Sequence, residues 1–198
     1  MPRPQCARCQ RPQRHCLCPL IPSLPSKTSV LILQHSSESR HALNTARLAV
    51  LGLLNAELRI GEQFDKDLPM DDGVESYLLF PGEDALSLEE LVERPEPRRL
   101  IVPDGTWRKA RKVLHLNPRL ASLPRVALPE GLVSRYRLRK APMPGALSTI
   151  EAIVVALNSL EGGIRFEALL KPFEALIDAQ IEAMGSDVFQ RNHLPLKG

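Results

Sequence analysis

At 198 residues the chain suits one domain with at most a small appendage, and it is long enough to bury a core without disulfides. The apolar fraction of 43% is ordinary, aromatics are scarce at 4%, and 18 prolines against 11 glycines point to ordered loops and sharply ended elements. A net charge of +3 and a pI of about 8.8 permit a nucleic-acid partner without requiring one. No apolar run approaches the roughly 20 residues that span a bilayer. The polar, Pro-rich N-terminus lacks the apolar segment of a secretion signal. A cytoplasmic protein with no membrane partner is expected.

Residues 1–27 hold all the cysteines, as Cys6-x2-Cys9-x6-Cys16-x-Cys18, followed by a Pro-rich connector. Four thiols this close in a reducing compartment read as a metal site rather than as disulfides. Four thiolates close a tetrahedral zinc site, and a closed site is structural, since catalytic zinc keeps one position open. The Cys16-x-Cys18 half needs a turn at Leu17, because an extended strand would send the two sulfurs to opposite faces. His15 is a possible substitute ligand.

Residues 28–198 alternate in an α/β manner. Thr28–Gln34 is a nearly continuous apolar run, the pattern of a buried parallel strand. His41–Leu54 has helical spacing. Further strands are predicted at Ala56–Ile60, Ser76–Phe80, Arg99–Val102 and Arg125–Leu128. Further helices are predicted at Leu86–Glu93, Thr106–His115, Ser148–Leu160 and Phe166–Met184. Ser148 or Thr149, with Glu151 behind it, would cap the penultimate helix. The expected fold is a mostly parallel sheet with helices on both faces. Ligands of such sheets bind at the carboxyl ends of the strands, here the loops Gln34–Arg40, Phe80–Asp84 and Pro103–Trp107.

The most distinctive text is Val102-Pro103-Asp104-Gly105-Thr106-Trp107. An acid stands just past a buried strand, in a glycine turn, at a helix entrance. Such an acid can act on a ligand, or it can merely cap the helix; Thr106 can also cap. Trp107 can pack in the core or against a ligand. Basic residues cluster at Arg108, Lys109, Arg111 and Lys112, and again at Arg135, Arg137, Arg139 and Lys140 around Tyr136. That mixture suits RNA through phosphate contact and stacking, and it also suits a solvated face.

D-G-T-W at 104–107 occurs together with the cysteine head, His35-x-x-Glu38 before Asn44-Thr45, Phe80-Pro-Gly-Glu83, Tyr136-Arg-Leu-Arg-Lys140 and Leu147-Ser-Thr-x-Glu-Ala152. The combination resembles the DTW-domain family of tRNA-uridine aminocarboxypropyltransferases over about the whole chain. One departure is Gln34-His-Ser-Ser-Glu38, where the family pattern would have His-Pro. The resemblance implies a SPOUT-like fold with a C-terminal trefoil knot, S-adenosylmethionine as donor substrate, tRNA rather than DNA as partner, and 5′-methylthioadenosine as by-product. It implies a donor pocket walled by Phe80, Pro81, Gly82, Asp104, Gly105, Thr106, Trp107, Leu147, Ser148 and Thr149. Asp104 would take the proton from uridine N3. Arg108, Arg111, Arg135, Arg137, Arg139 and Lys140 would hold RNA. Two other readings stand beside it, a SPOUT-type RNA methyltransferase and a non-catalytic zinc-ribbon RNA-binding protein.

Overall fold

The computed structural model describes residues 4–41, 43–66, 68–69, 72–138, 145–185 and 188–189. Five parallel strands form one sheet in the order β2-β1-β4-β3-β5. They are β1 Ser29–His35, β2 Ala56–Gly61, β3 Glu75–Leu79, β4 Arg98–Asp104 and β5 Arg125–Val126. β1 and β4 lie at the centre, and both are apolar almost without interruption because both faces are covered.

Side chains of successive strand residues go to opposite faces, so each central strand feeds two cores. Val30, Ile32, Tyr77, Leu79, Leu100 and Val102 pack into one cluster. Leu31, Leu33, Leu78 and Ile101 pack into the other. The first face is covered by α1 Thr45–Gly52, α2 Leu88–Val92, α5 Thr149–Glu161 and α6 Leu170–Met184. The second is covered by α3 Trp107–Leu116, α4 Pro118–Ala121 and the loop bearing Phe64 and Leu68. The expected parallel α/β sheet with helices on both faces is what the chain forms. Among the described residues, no helix is long and apolar enough to cross a membrane.

Several element ends differ from the sequence expectation for identifiable reasons. α1 starts at Thr45 rather than His41, because residues 36–38 form a 3-10 turn and Asn44 caps the helix by accepting from Arg47 N at 3.1 Å. The last helix divides into a 3-10 segment, Arg165–Leu169, and α6. Pro172 has no N–H, and the division puts it in the first turn of α6, where none is needed. α4 has no counterpart among the predicted helices. Asp65 creates it by accepting from Arg119 N and Leu120 N at its start. Just before it, the fully buried Asn117 ties the α3 end to the 62–65 loop. Its amide donates to Glu62 O and Val113 O, and its oxygen accepts from Phe64 N and Asp65 N.

The N-terminal cysteine segment packs on the first core. Cys9, Leu17 and Ile21 are buried in the same cluster as α5 and α6. Arg8 adds a bond from its guanidinium to Leu51 O at 3.3 Å.

Candidate functional site

The β1–β4 register pairs Gln34 with Asp104 at the carboxyl ends of the two central strands. Gln34 is fully buried and donates through Nε2 to Asp104 Oδ2 at 2.7 Å and to Asn44 Oδ1 at 3.1 Å. Asn44 Nδ2 returns a bond to Gln34 Oε1 at 3.2 Å. On its other side, Asp104 Oδ1 accepts from the Thr149 hydroxyl at the start of α5. The carboxylate is thus held between two strands and two helix entrances. It does not cap α3. That role falls to Thr106, whose Oγ1 accepts from Lys109 N at 3.4 Å.

Gly105 has φ +150°, a conformation that disfavours a side chain. A Cβ there would lie 3.2 Å from Lys109 Cβ, 3.6 Å from His35 Cβ and 3.7 Å from Glu38 Cγ. Its absence lets Glu38 and Lys109 close over the turn, with Lys109 Nζ 2.6 Å from Glu38 Oε1. His35 is buried and serves the scaffold. Its Nδ1 accepts from Ser37 N at 3.2 Å, and its Nε2 faces Glu62 Oε1 at 3.0 Å. Lys112 also bonds Glu62, and this bond above all holds the Glu62 carboxyl below the ordinary carboxylate range.

Two cavities meet beside Asp104. The larger, about 860 Å³, is mainly apolar and is lined by Phe80, Pro81, Gly105, Trp107, Leu147, Ser148 and Thr149 among others. The smaller, about 330 Å³, is lined by Gln34, Glu38, Asn44, Asp104 and Thr106 among others. Gly105, Tyr136, Ser148 and Thr149 line both. Gly82 stands apart from both linings and underlies Arg125, whose Cδ would be 2.9 Å from a Cβ at that position. Trp107 is half-buried and meets Phe80 edge-on at 5.4 Å between centroids, so it is a wall of the cavity rather than core.

The far wall of the large cavity is the loop through Gly131, Ser134 and Tyr136. Glu151, only 4% exposed, fastens it. Its carboxylate accepts from Ser134 Oγ and from Arg135 N at 2.6 Å, and also from Ser148 N and Oγ in the capping box of α5. Tyr136 meets Phe173 of α6 edge-on at 5.5 Å. Sequence reasoning names Glu151 only as part of a cap. It places Gln34 and Glu38 in a ligand-binding loop and Glu38 and Asn44 in the family motif without assigning any of them a role, and it misses Asn117. Their sole local signal is polarity where a buried strand or helix ends.

The four cysteine sulfurs lie within 4.8 Å of one another, with Cys6 to Cys18 at 3.6 Å and Cys9 to Cys16 at 3.8 Å. Backbone N–H groups of Cys9 and Arg8 lead in pulling the Cys6 thiol down to about 6. Burial, then the neighbouring thiols, push Cys18 up to about 12. Four close thiol ligands at one point can hold a metal ion.

Of the basic residues, Arg108 and Arg111 are exposed on α3. Arg135 and Arg137 are exposed as well, but Arg135 bonds Glu167 at 2.7 Å and Glu174 at 3.0 Å, and Arg137 bonds Asp178. These pairs pin the cavity wall to the 3-10 segment and α6. Arg139 and Lys140 lie outside the described residues.

Asp104 ends a central strand of an α/β sheet, it lines the smaller of two cavities that share Gly105 and Thr149, and comparison makes the class of protein a transferase. The chain belongs to the DTW domain family, which matches residues 3–181. It is 33% identical to tRNA-uridine aminocarboxypropyltransferase 2 of Macaca fascicularis, over 99% of this chain and 70% of the relative. The Mus musculus protein of the same name is 35% identical over 91% of this chain and 64% of its own length. tRNA-uridine aminocarboxypropyltransferase A of Arabidopsis thaliana is 30% identical over 79% and 72%. No solved structure matches.

Proposed function

We propose that this chain transfers the 3-amino-3-carboxypropyl group of S-adenosylmethionine to N3 of a uridine in tRNA, releasing 5′-methylthioadenosine. The observation that carries it is Asp104 at the junction of the apolar and polar cavities, in a chain of this family. The donor supplies an electrophilic carbon beside a sulfonium. The large cavity suits its nucleoside in size and lining, with Phe80, Trp107 and Leu147 as apolar walls. Asp104 takes the N3 proton. Gln34 and Thr149 hold its carboxylate in place. The proton leaves as the N3–carbon bond forms, when the nitrogen has become far more acidic.

The exposed arginines of α3 contact RNA phosphates, and the expected setting is the cytoplasm. Residues 1–27 are a structural zinc module and residues 28–198 the catalytic part. Sulfurs around a tetrahedral zinc with bonds of about 2.3 Å stand about 3.8 Å apart, which the two close sulfur pairs match. The fold is SPOUT-like with a C-terminal knot. What supports this is the path after β5, where residues 126–134 and 145–149 wrap the large cavity before α5 crosses the sheet.

Incubation with S-adenosylmethionine and unmodified tRNA should yield 5′-methylthioadenosine in step with loss of one uridine. S-adenosylhomocysteine and a methylated base would establish a methyltransferase instead. Tight tRNA binding with neither by-product would establish a binding protein.

A further inference from the structure

The small cavity differs in kind from the large one. Gln34 and Asn44 spend their amides on each other, on Asp104 and on backbone groups. Both oxygens of Asp104 accept hydrogen bonds. Glu38 is different. Its side chain is only 18% exposed and Oε1 is taken by Lys109, but Oε2 has no hydrogen-bond partner among the described residues. Glu38 and Asp104 thus face one small space, and what Glu38 offers there is an acceptor with negative charge. Beyond Asp104 at its neck, a nucleobase edge finds the amide partners of this space already used. A phosphate is repelled. A compact ammonium group is what such a space recognises.

Resting on the function proposed above, we infer that the small cavity is the subsite for the amino-acid end of the donor, and that Glu38 receives its α-ammonium group. The Lys109 pair holds Glu38 in place, and the bare Gly105 turn lets the two approach. Gly105 and Thr149, which line both cavities, stand at the neck beside Asp104. The chain joining tail to nucleoside passes that neck. The group that enters it is the tail and not the methyl, and this sets which carbon is presented to the base.

S-adenosylhomocysteine and 5′-methylthioadenosine share the nucleoside and an uncharged sulfur, and differ in bearing the tail or a methyl. Calorimetric titration of the whole chain with each isolates the tail. Glu38→Gln should weaken S-adenosylhomocysteine by about 10-fold or more, the range for losing a charged hydrogen-bond partner, and 5′-methylthioadenosine by less than about twofold. Lys109→Met removes the ion pair but not the carboxylate, and should keep the preference for the tail. A variant-free arm titrates the wild type with the analogue of S-adenosylhomocysteine that lacks the α-amino group, which should bind about 10-fold more weakly. Equal losses for both nucleosides, no loss for either, or an unweakened deamino analogue would overturn the subsite alone. A wild type that binds none of these nucleosides overturns the function on which it rests, and the subsite with it.

Discussion

At the scale of single residues, Asp104 is engaged by side chains rather than by a helix end. Its partners are Gln34 and Thr149, while Thr106 caps α3. Removing its charge therefore leaves the cap intact. Asp104→Asn keeps the shape and an acceptor but loses a charge-assisted bond, a cost of about 1–2 kcal/mol. The transfer rate should fall by about 10²-fold or more, the range for a lost general base. Single-turnover rates and thermal melts on the same preparation check both. A large loss of melting temperature with activity intact would make Asp104 a purely structural tie between sheet and α5. The acid and its turn were legible because D-G-T-W is compact. The donors were not, since Gln34 and Thr149 stand 70 and 45 residues away and only strand register and the seating of α5 bring them in.

Elements show which signals survive folding. Strands and most helices followed from apolar runs and helical spacing, because both faces of β1 and β4 are covered, while the strand order did not. Ends moved where a local residue sets the boundary, as Asn44 and Pro172 do, or where a side chain some distance away, such as Asp65, finishes an element. The cysteine segment was legible from clustering alone, but its docking was not. Cys9 and Leu17 are 3% and 7% exposed and share the core of α5 and α6. Metal loss should therefore reach the body of the protein. Elemental analysis should find about one zinc per chain, the content of one four-thiolate site. Chelation should lower the melting temperature of the whole chain, in a single transition. Because each ligand must be a thiolate, acidification should release the metal, and raising the pH should not. Metal-free protein with an unchanged melt would refute the structural role.

For the whole molecule, the basic clusters that look alike in the sequence divide by position. Arg108 and Arg111 are exposed on α3, and no ion pair is found for them among the described residues. Arg135 and Arg137 are paired with acids of the 3-10 segment and α6, and Glu174, then Glu167, keep Arg135 firmly cationic. No local pattern separates these cases, because the acids that decide them come about 30–40 residues later. Replacing Arg108 or Arg111 by Ala should weaken tRNA binding and lower the slope of log affinity against log salt by about 0.7–1 for each phosphate that is no longer neutralised. Arg135→Ala should leave that slope unchanged while loosening the cavity wall. Filter-binding titrations across a salt series separate the two.

That wall has a consequence for affinity. A loop without regular structure that closed only on an arriving ligand would have to be ordered at that moment, and the lost conformational freedom would be subtracted from binding. Here the described residues of the wall are tied down by the chain itself. Glu151 grips Ser134 and Arg135 from inside the molecule, and the acids near α6 grip it from outside. Whatever ordering is supplied in this way, when α5 and α6 bury their apolar faces, is not left to be subtracted from ligand binding.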